Sequence, residues 1–295
     1  VTFDADTSAG IGDNQGYIIL DGDDYEAHLP AWARVVPGTS PADVLIIDND
    51  LSTVFTTPDY LDYYTSTLQN LGISYAVWDA DAHSGSDVTL PSAAELAAYR
   101  AIVYFTGDNF YPDGSFTVPT PLTSLDMDIL TEYANAGGTI IAMGQDMSSV
   151  LGAAEFAPPE SGPDVAFYGW LLGANFLQDS VTDVISPTQP IIAYADAPPA
   201  FEQVTISVDP NVGDGAGNQF FIDEISSLPP GEPIPPLTRD YQALLRYPSA
   251  TTVEDGGVAM AHRDQPSLER PGTSYKGRSI YTSFGLECVN NGITG

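Results

Sequence analysis

Four apolar runs, each closed by a short acidic loop, constrain this chain more than any other feature. Residues 42–47 run into Asp48-Asn49-Asp50, and residues 73–78 into Asp79-Ala80-Asp81. Residues 101–105 run into Thr106-Gly107-Asp108-Asn109, and residues 138–143 into Gly144-Gln145-Asp146. Short continuous runs rich in Val, Ile and aromatics read as strands buried on both faces. Helix signals lie between them. Thr57-Pro58 opens the first, with Thr57 as cap and Pro58 at the first helical position. Tyr60, Leu61, Tyr64, Leu68 and Leu71 then recur at helical spacing, and Gly72 closes the helix. Ser92-Ala93-Ala94-Glu95 reads as a capping box for a second helix through Ala98. Thr123-Ser124-Leu125-Asp126 does the same for a third, which stops at Gly137-Gly138. Strands alternating with helices predict a parallel βαβ sheet. The loops after its strands gather on the carboxyl edge, where such sheets bind ligands.

The rest of the chain changes character. Residues 1–40 are rich in Asp and Gly, with one apolar run at 16–20, and read as an extended arm or linker. Residues 151–240 carry frequent Pro, Gly and Asp. They hold one alternating strand at 204–208 and a proline-rich surface loop at 229–236. Strand signals return at 243–247, 257–262 and 278–284. The expected fold is therefore α/β: a three-layer sandwich with a mainly parallel flavodoxin-like sheet. A loop-rich β insertion at about 151–240 and the N-terminal arm are added to a domain spanning 41–295. The chain opens on Val1, which suggests a piece of a longer protein.

Charge narrows the function. The 295 residues hold 40 Asp plus Glu against 8 Lys plus Arg, a net charge of −32. A field of that sign repels nucleic acid and anionic lipid and favours divalent cations. No apolar run reaches the ~18 residues a membrane-spanning helix needs, so membrane insertion is not expected. One cysteine, Cys288, allows no intrachain disulfide. Strong acidity, a single lysine (Lys276) and abundant Thr, Ser, Gly and Tyr read as extracellular or cell-surface.

Residues 43–147 resemble the flavodoxin-like sheet of class I glutamine amidotransferase-like domains. Three further segments resemble a module from the C-terminal regions of secreted bacterial subtilisin-like and M6 peptidases. They are Tyr168-Gly169-Trp170-Leu171-Leu172-Gly173-Ala174-Asn175-Phe176, the stretch from Gly213-Asp214-Gly215 through Asn218-Gln219 to Asp223, and Ser279-Ile280-Tyr281-Thr282-Ser283-Phe284-Gly285-Leu286-Glu287. Such modules follow the protease domain and are not its proteolytic part. In the amidotransferase family a Cys nucleophile sits on a strand-to-helix turn, with a downstream His as base. The matching turn here is Met143-Gly144-Gln145-Asp146-Met147, with no Cys or Ser at its apex. His262 falls at the position of the base by its strand, with nothing to activate. After Glu287 the family usually continues into a closing amphipathic helix; here the sequence stops at Gly295, which suggests either truncation or loss of the remainder by processing.

The candidate site is the acidic edge. Asp48, Asp50, Asp79, Asp81, Asp108 and Asp146 all end strands. Ca²⁺ takes six to eight oxygens from such groups. The plain alternative is that Asp ends strands because it makes turns and caps helices. Three functional readings follow. The first is a non-catalytic accessory or structural module of a secreted or cell-surface protein, stabilised by calcium. Its partners are divalent cations and either other domains of a larger secreted protein or copies of itself. Its contact surfaces are the acidic edge and the Asn218-Gln219 loop. The second is an extracellular carboxylate- or metal-dependent hydrolase on the same edge. The third is a self-assembling surface or filament subunit, which an exposed apolar groove would support. Phe105, Phe110, Tyr111 and Phe116 could also form a sugar or peptide platform, though core packing explains them as well.

Overall fold

The computed structural model describes residues 12–22, 25–35, 42–53, 57–83, 86–109, 122–152, 167, 171–178, 180–181, 190–193, 197–220, 222–226, 241–248, 258–263, 269–270, 273–274 and 277–290. For 12–35, 258–263 and 269–274 only the backbone is described. Phe110, Tyr111, Phe116 and the 229–236 loop lie outside this set, as do the side chains of His28 and His262.

Two units separate at the proline-punctuated stretch near residue 41. The first holds an antiparallel hairpin of β1 (Gly12–Gly22) and β2 (Tyr25–Val35). The expected arm thus folds back on itself, with Asp21 to Glu26 at its turn end.

In the second unit a parallel core is built from β3 (Val44–Asp48), β4 (Tyr75–Asp79), β5 (Ala101–Phe105), β6 (Thr139–Met143) and β15 (Arg278–Thr282). Their spatial order is β4-β3-β5-β6-β15, the doubly wound order with its reversal between β3 and β5. The helices between them are α1 (Leu61–Asn70), α2 (Ala93–Leu96), α3 (Ser124–Asn135) and α4 (Met147–Gly152). The insertion supplies β7 (Asn175–Gln178), β8 (Ile191–Ala193), β9 (Thr205–Ile206) and β10 (Glu224–Ser226). With β11 (Tyr241–Arg246) and β12 (Val258–Arg263) they extend the sheet by antiparallel pairing from β15. A short hairpin, β13 (Glu269–Arg270) with β14 (Thr273–Ser274), lies apart.

The strand alternation explains the layers. Val44, Ile46, Val103 and Phe105 face α1, where Tyr60 and Tyr64 pack on them. Leu45, Ile47, Ile102, Tyr104 and Ile140 face the other way, toward α3 and α4. Both capping boxes form, at Ser92 with Glu95 and at Thr123 with Asp126. α2 is shorter than its pattern suggests and ends at Leu96. Gly72 turns the chain out of α1 with φ +67, a conformation cheap only for glycine. The start of α1 differs from the sequence expectation. Tyr60, not Thr57, occupies the cap position, with no side-chain cap bond of its own. Thr57 instead donates its hydroxyl to the Asp50 carbonyl at 3.4 Å, because Asp50 and Asp59 organise this loop.

Candidate cation site at the sheet edge

The register of the parallel strands sets Asp48 beside Asp79 on one side and Phe105 on the other. After Asp48 the chain turns through Leu51, a non-glycine residue at φ 65. Asp50 holds that turn: its Oδ1 accepts the Ser52 amide at 2.9 Å and its Oδ2 the Tyr60 amide at 2.8 Å. The loop therefore doubles back over the end of β3. Asp59, whose Oδ1 accepts the Leu61 amide at 2.9 Å, comes to rest above Asp48. Carboxylate oxygens of Asp48, Asp50 and Asp59 lie within 4.8 Å of one another. A fourth acid, Asp81, opens the 3-10 turn after β4; its charge bears on Asp48, and the charge of Asp50 bears on it.

Burial makes this cluster costly unless something neutralises it. Asp48, Asp50 and Asp81 are 6%, 0% and 2% exposed. Among the described residues, both oxygens of Asp81 and Oδ1 of Asp48 are buried without a hydrogen-bond partner. Burial, reinforced by Asp50, Asp81 and Asp59, pushes the Asp48 carboxyl up to about 8. Burial, reinforced by Asp50 and Asp79, pushes Asp81 up to about 7. The Thr53 amide offsets part of the rise at Asp81 without completing a hydrogen bond. Asp126 shows what a satisfied buried acid looks like in the same fold. It is 0% exposed, yet it accepts the Thr89 and Leu90 amides and the Thr89 and Thr123 hydroxyls.

Of the six expected ligands, the structure places Asp48 and Asp50 in one carboxylate group and Asp81 beside it, while Asp79 and Asp108 lie nearby with hydrogen-bond partners of their own and Asp146 stands at another strand end. Asp79 ties loops, accepting the Thr53 hydroxyl at 3.0 Å and the Ala82 amide at 3.0 Å. Asp108 accepts the Tyr60 hydroxyl at 2.8 Å and Asn218 Nδ2 at 3.1 Å. Asp146 stands at the start of α4, where its carbonyl accepts the Ser149 hydroxyl. Asp59 reads in the sequence as part of a helix start and not as a ligand. Its spacing from Asp50 becomes meaningful only once the loop is seen to reverse.

A second polar group lies behind Asp108. Glu287, 0% exposed, accepts the Tyr64 hydroxyl at 2.5 Å and Asn218 Nδ2 at 2.9 Å. Burial raises its carboxyl above the ordinary value, and those two donors offset part of the rise. Asn218 and Gln219 are 5% and 1% exposed. They are interior struts and not the contact surface expected of them, because their amides are needed to satisfy Glu287 and Asp108. Beside Glu287 an apolar groove of about 180 Å³ opens on the α1 face, lined by Tyr63, Leu68, Val103, Ile141, Met143 and Leu286.

The turn after β6, expected from the sequence to match a nucleophile turn, is filled. Gln145 is 0% exposed: its Nε2 donates to the Asn218 carbonyl at 3.1 Å and its Oε1 accepts the Phe220 amide at 2.5 Å. Cys288 is 1% exposed within an apolar cluster, and its thiol sits 2.7 Å from the Gly285 carbonyl. Burial pushes that thiol well above its ordinary pKa, away from the thiolate a nucleophile requires.

No family model matches the sequence, and no curated protein matches it. Several solved structures are similar at low scores. A cytoplasmic protein from Salmonella typhimurium is 13% identical, over 92% of this chain and 85% of that one, with a TM-score of 0.38. The β-galactosidase of Bacillus circulans sp. alkalophilus is 11% identical, over 83% of this chain but 28% of that one, with a TM-score of 0.43. An exo-β-1,4-mannosidase from Opitutaceae bacterium strain TAV5 is 12% identical, over 83% and 31%, with a TM-score of 0.40. No described helix is long and apolar enough to cross a membrane.

Proposed function

We propose that this chain is a non-catalytic accessory or structural module of a secreted or cell-surface protein, stabilised by calcium. One observation carries the reading. At the turn where an amidotransferase-like enzyme needs a nucleophile, Gln145 is buried and both ends of its amide are occupied by the 218–220 segment. A substrate would have to displace that segment to reach the corner. The lone thiol, Cys288, is held in apolar packing elsewhere. What remains at the carboxyl edge is acid, suited to holding a hard cation. The acidity and the near absence of lysine support an extracellular setting. Other domains of a larger secreted protein, or copies of this chain, are then the partners. The test is a screen of the purified chain on peptides, glycans and esters, with and without calcium. The reading expects no turnover on any of them. Saturable turnover that Asp81→Asn abolishes would replace it with the hydrolase reading.

A second reading, assembly of copies, is favoured by the groove between α1 and β6. Sedimentation across a hundredfold concentration range tests it. A mass that stays monomeric throughout removes it.

A further inference from the structure

We infer that Asp48, Asp50, Asp59 and Asp81 form a single calcium site that fastens the β3–α1 loop to the turn after β4. The inference rests on the calcium-stabilised reading above and assigns that role to particular residues.

Acidic residues crowd many surfaces without binding anything, so proximity alone decides nothing. Here the decisive feature is orphaned oxygen. Both oxygens of Asp81 and one of Asp48 are buried with no hydrogen-bond donor among the described residues. They belong to side chains 2% and 6% exposed, so water reaches them poorly as well. Folded proteins pair nearly all such groups. Asp126 shows a paired acid in the same fold: it collects donors from Thr89, Leu90 and Thr123 in an equally buried position. The orphaned Oδ1 belongs to Asp48, whose carboxylate groups with those of Asp50 and Asp59 within 4.8 Å; Asp81 stands beside that group, near enough for its charge to act on Asp48 and for the Asp50 charge to act on it. The charges that act most on Asp48 and Asp81 are those of other acids; among the described residues Arg100 pairs with Asp43, at the other end of β3.

The donor set selects the ion. All four ligands are carboxylates, which hard cations prefer over the nitrogen and sulfur donors that zinc takes. They come from a strand end, a reversed loop, the approach to a helix and a 3-10 turn. That irregular arrangement suits calcium, which accepts variable geometry. Magnesium demands a near-ideal octahedron and keeps several waters, and three ligands at or below 6% exposure leave them little room. Asp50 is preset for the role, because the Ser52 and Tyr60 amides fix its orientation. Asp59, exposed, is the entry side of the site.

The experiment is calcium titration of the whole chain after chelator treatment, followed by calorimetry and by terbium luminescence excited through the nearby tyrosines. Asp48→Asn, Asp81→Asn and, as a control on the exposed side of α1, Asp62→Asn are compared. Asn keeps the shape and removes the charge, and circular dichroism checks that each variant folds. The expected result is saturable binding by the unaltered chain, affinity lower by at least about tenfold in both site variants, and no change in Asp62→Asn. Magnesium should compete only weakly. Calcium binding unaffected by Asp48→Asn and Asp81→Asn would overturn this site while leaving the calcium-stabilised module standing. No calcium binding by the unaltered chain would overturn both. Equal affinity for magnesium would overturn the choice of ion.

Discussion

Tyr64, in the middle of α1, donates its hydroxyl to Glu287, in the turn after β15, at 2.5 Å. The two residues lie 223 positions apart, and their bond ties the first helix of the parallel unit to its last turn. Among the described residues Glu287 accepts from Tyr64, Asn218 and, at 3.4 Å, Gln219, all neutral groups. Its carboxyl is raised because burial penalises the charge. An acid raised in the folded state holds its proton where the unfolded chain has lost it. That stabilisation is complete below the ordinary value of 4.5 and is lost as pH rises toward the folded value. Glu287→Gln removes the ionisation, and the Tyr64 hydroxyl can turn to accept from the new amide. Melting temperature between pH 4 and 8 should therefore fall less steeply in Glu287→Gln than in the unaltered chain. Parallel curves would show that Glu287 does not control this dependence.

The contrast between Asp81 and Asp126 gives a prediction of sign. Asp81 has only the Thr53 amide to offset its burial, without a completed hydrogen bond, so its charge is a liability without a cation. In chelator Asp81→Asn should raise the melting temperature, by about 2–4 °C per kcal/mol relieved. In saturating calcium the same change should lower it. Asp126→Asn should lower it by a similar amount in both conditions, since an amide nitrogen there would face donors. Thermal melts of the two variants, with and without calcium, read all four values.

Gly107 supports the site from below. It has φ +46, and a Cβ added there would stand 2.6 Å from the Asp50 Cβ and 2.7 Å from Tyr60 Cδ2. Neither neighbour can yield, since the Tyr60 amide and the Asp50 carboxylate hold each other. Gly107→Ala should cost about 2–4 kcal/mol from strain and overpacking together. It should weaken calcium binding as well. Denaturant unfolding and calorimetry measure the two losses separately.

Cys288 should behave as a core residue. A thiol 1% exposed and bonded to the Gly285 carbonyl will resist alkylation in the native chain. It should react fully once guanidinium unfolds the protein. Rapid labelling of the native state would mean that the thiol is accessible after all.

The parallel core was legible in the sequence because its strands are buried on both faces and need continuous apolar runs. Residues 101–105 coincide with β5, and the Ser92 and Thr123 boxes mark their helices because capping is local chemistry. The start of α1 was misread for the opposite reason. Thr57-Pro58 is a good local signal, but Asp50, ten residues before Tyr60, claims the Tyr60 amide. The proposed site was legible in part. Asp48, Asp50 and Asp81 follow strand ends, and strand ends share an edge. Asp59 joins them through loop reversal, which no periodicity records. Asp79 and Asp108 look identical in the sequence and are diverted by Thr53 and Tyr60, neighbours that only the fold supplies.

The most direct measurement is a crystal structure of the chain grown in millimolar calcium, with anomalous scattering to identify the ion. The account predicts one calcium, with oxygens of Asp48, Asp50 and Asp81 at about 2.3–2.6 Å and Asp59 closing over it. Calcium bound instead at Asp108 or Asp146, or a well-ordered Asp48 and Asp81 pair with no ion between them, would contradict it.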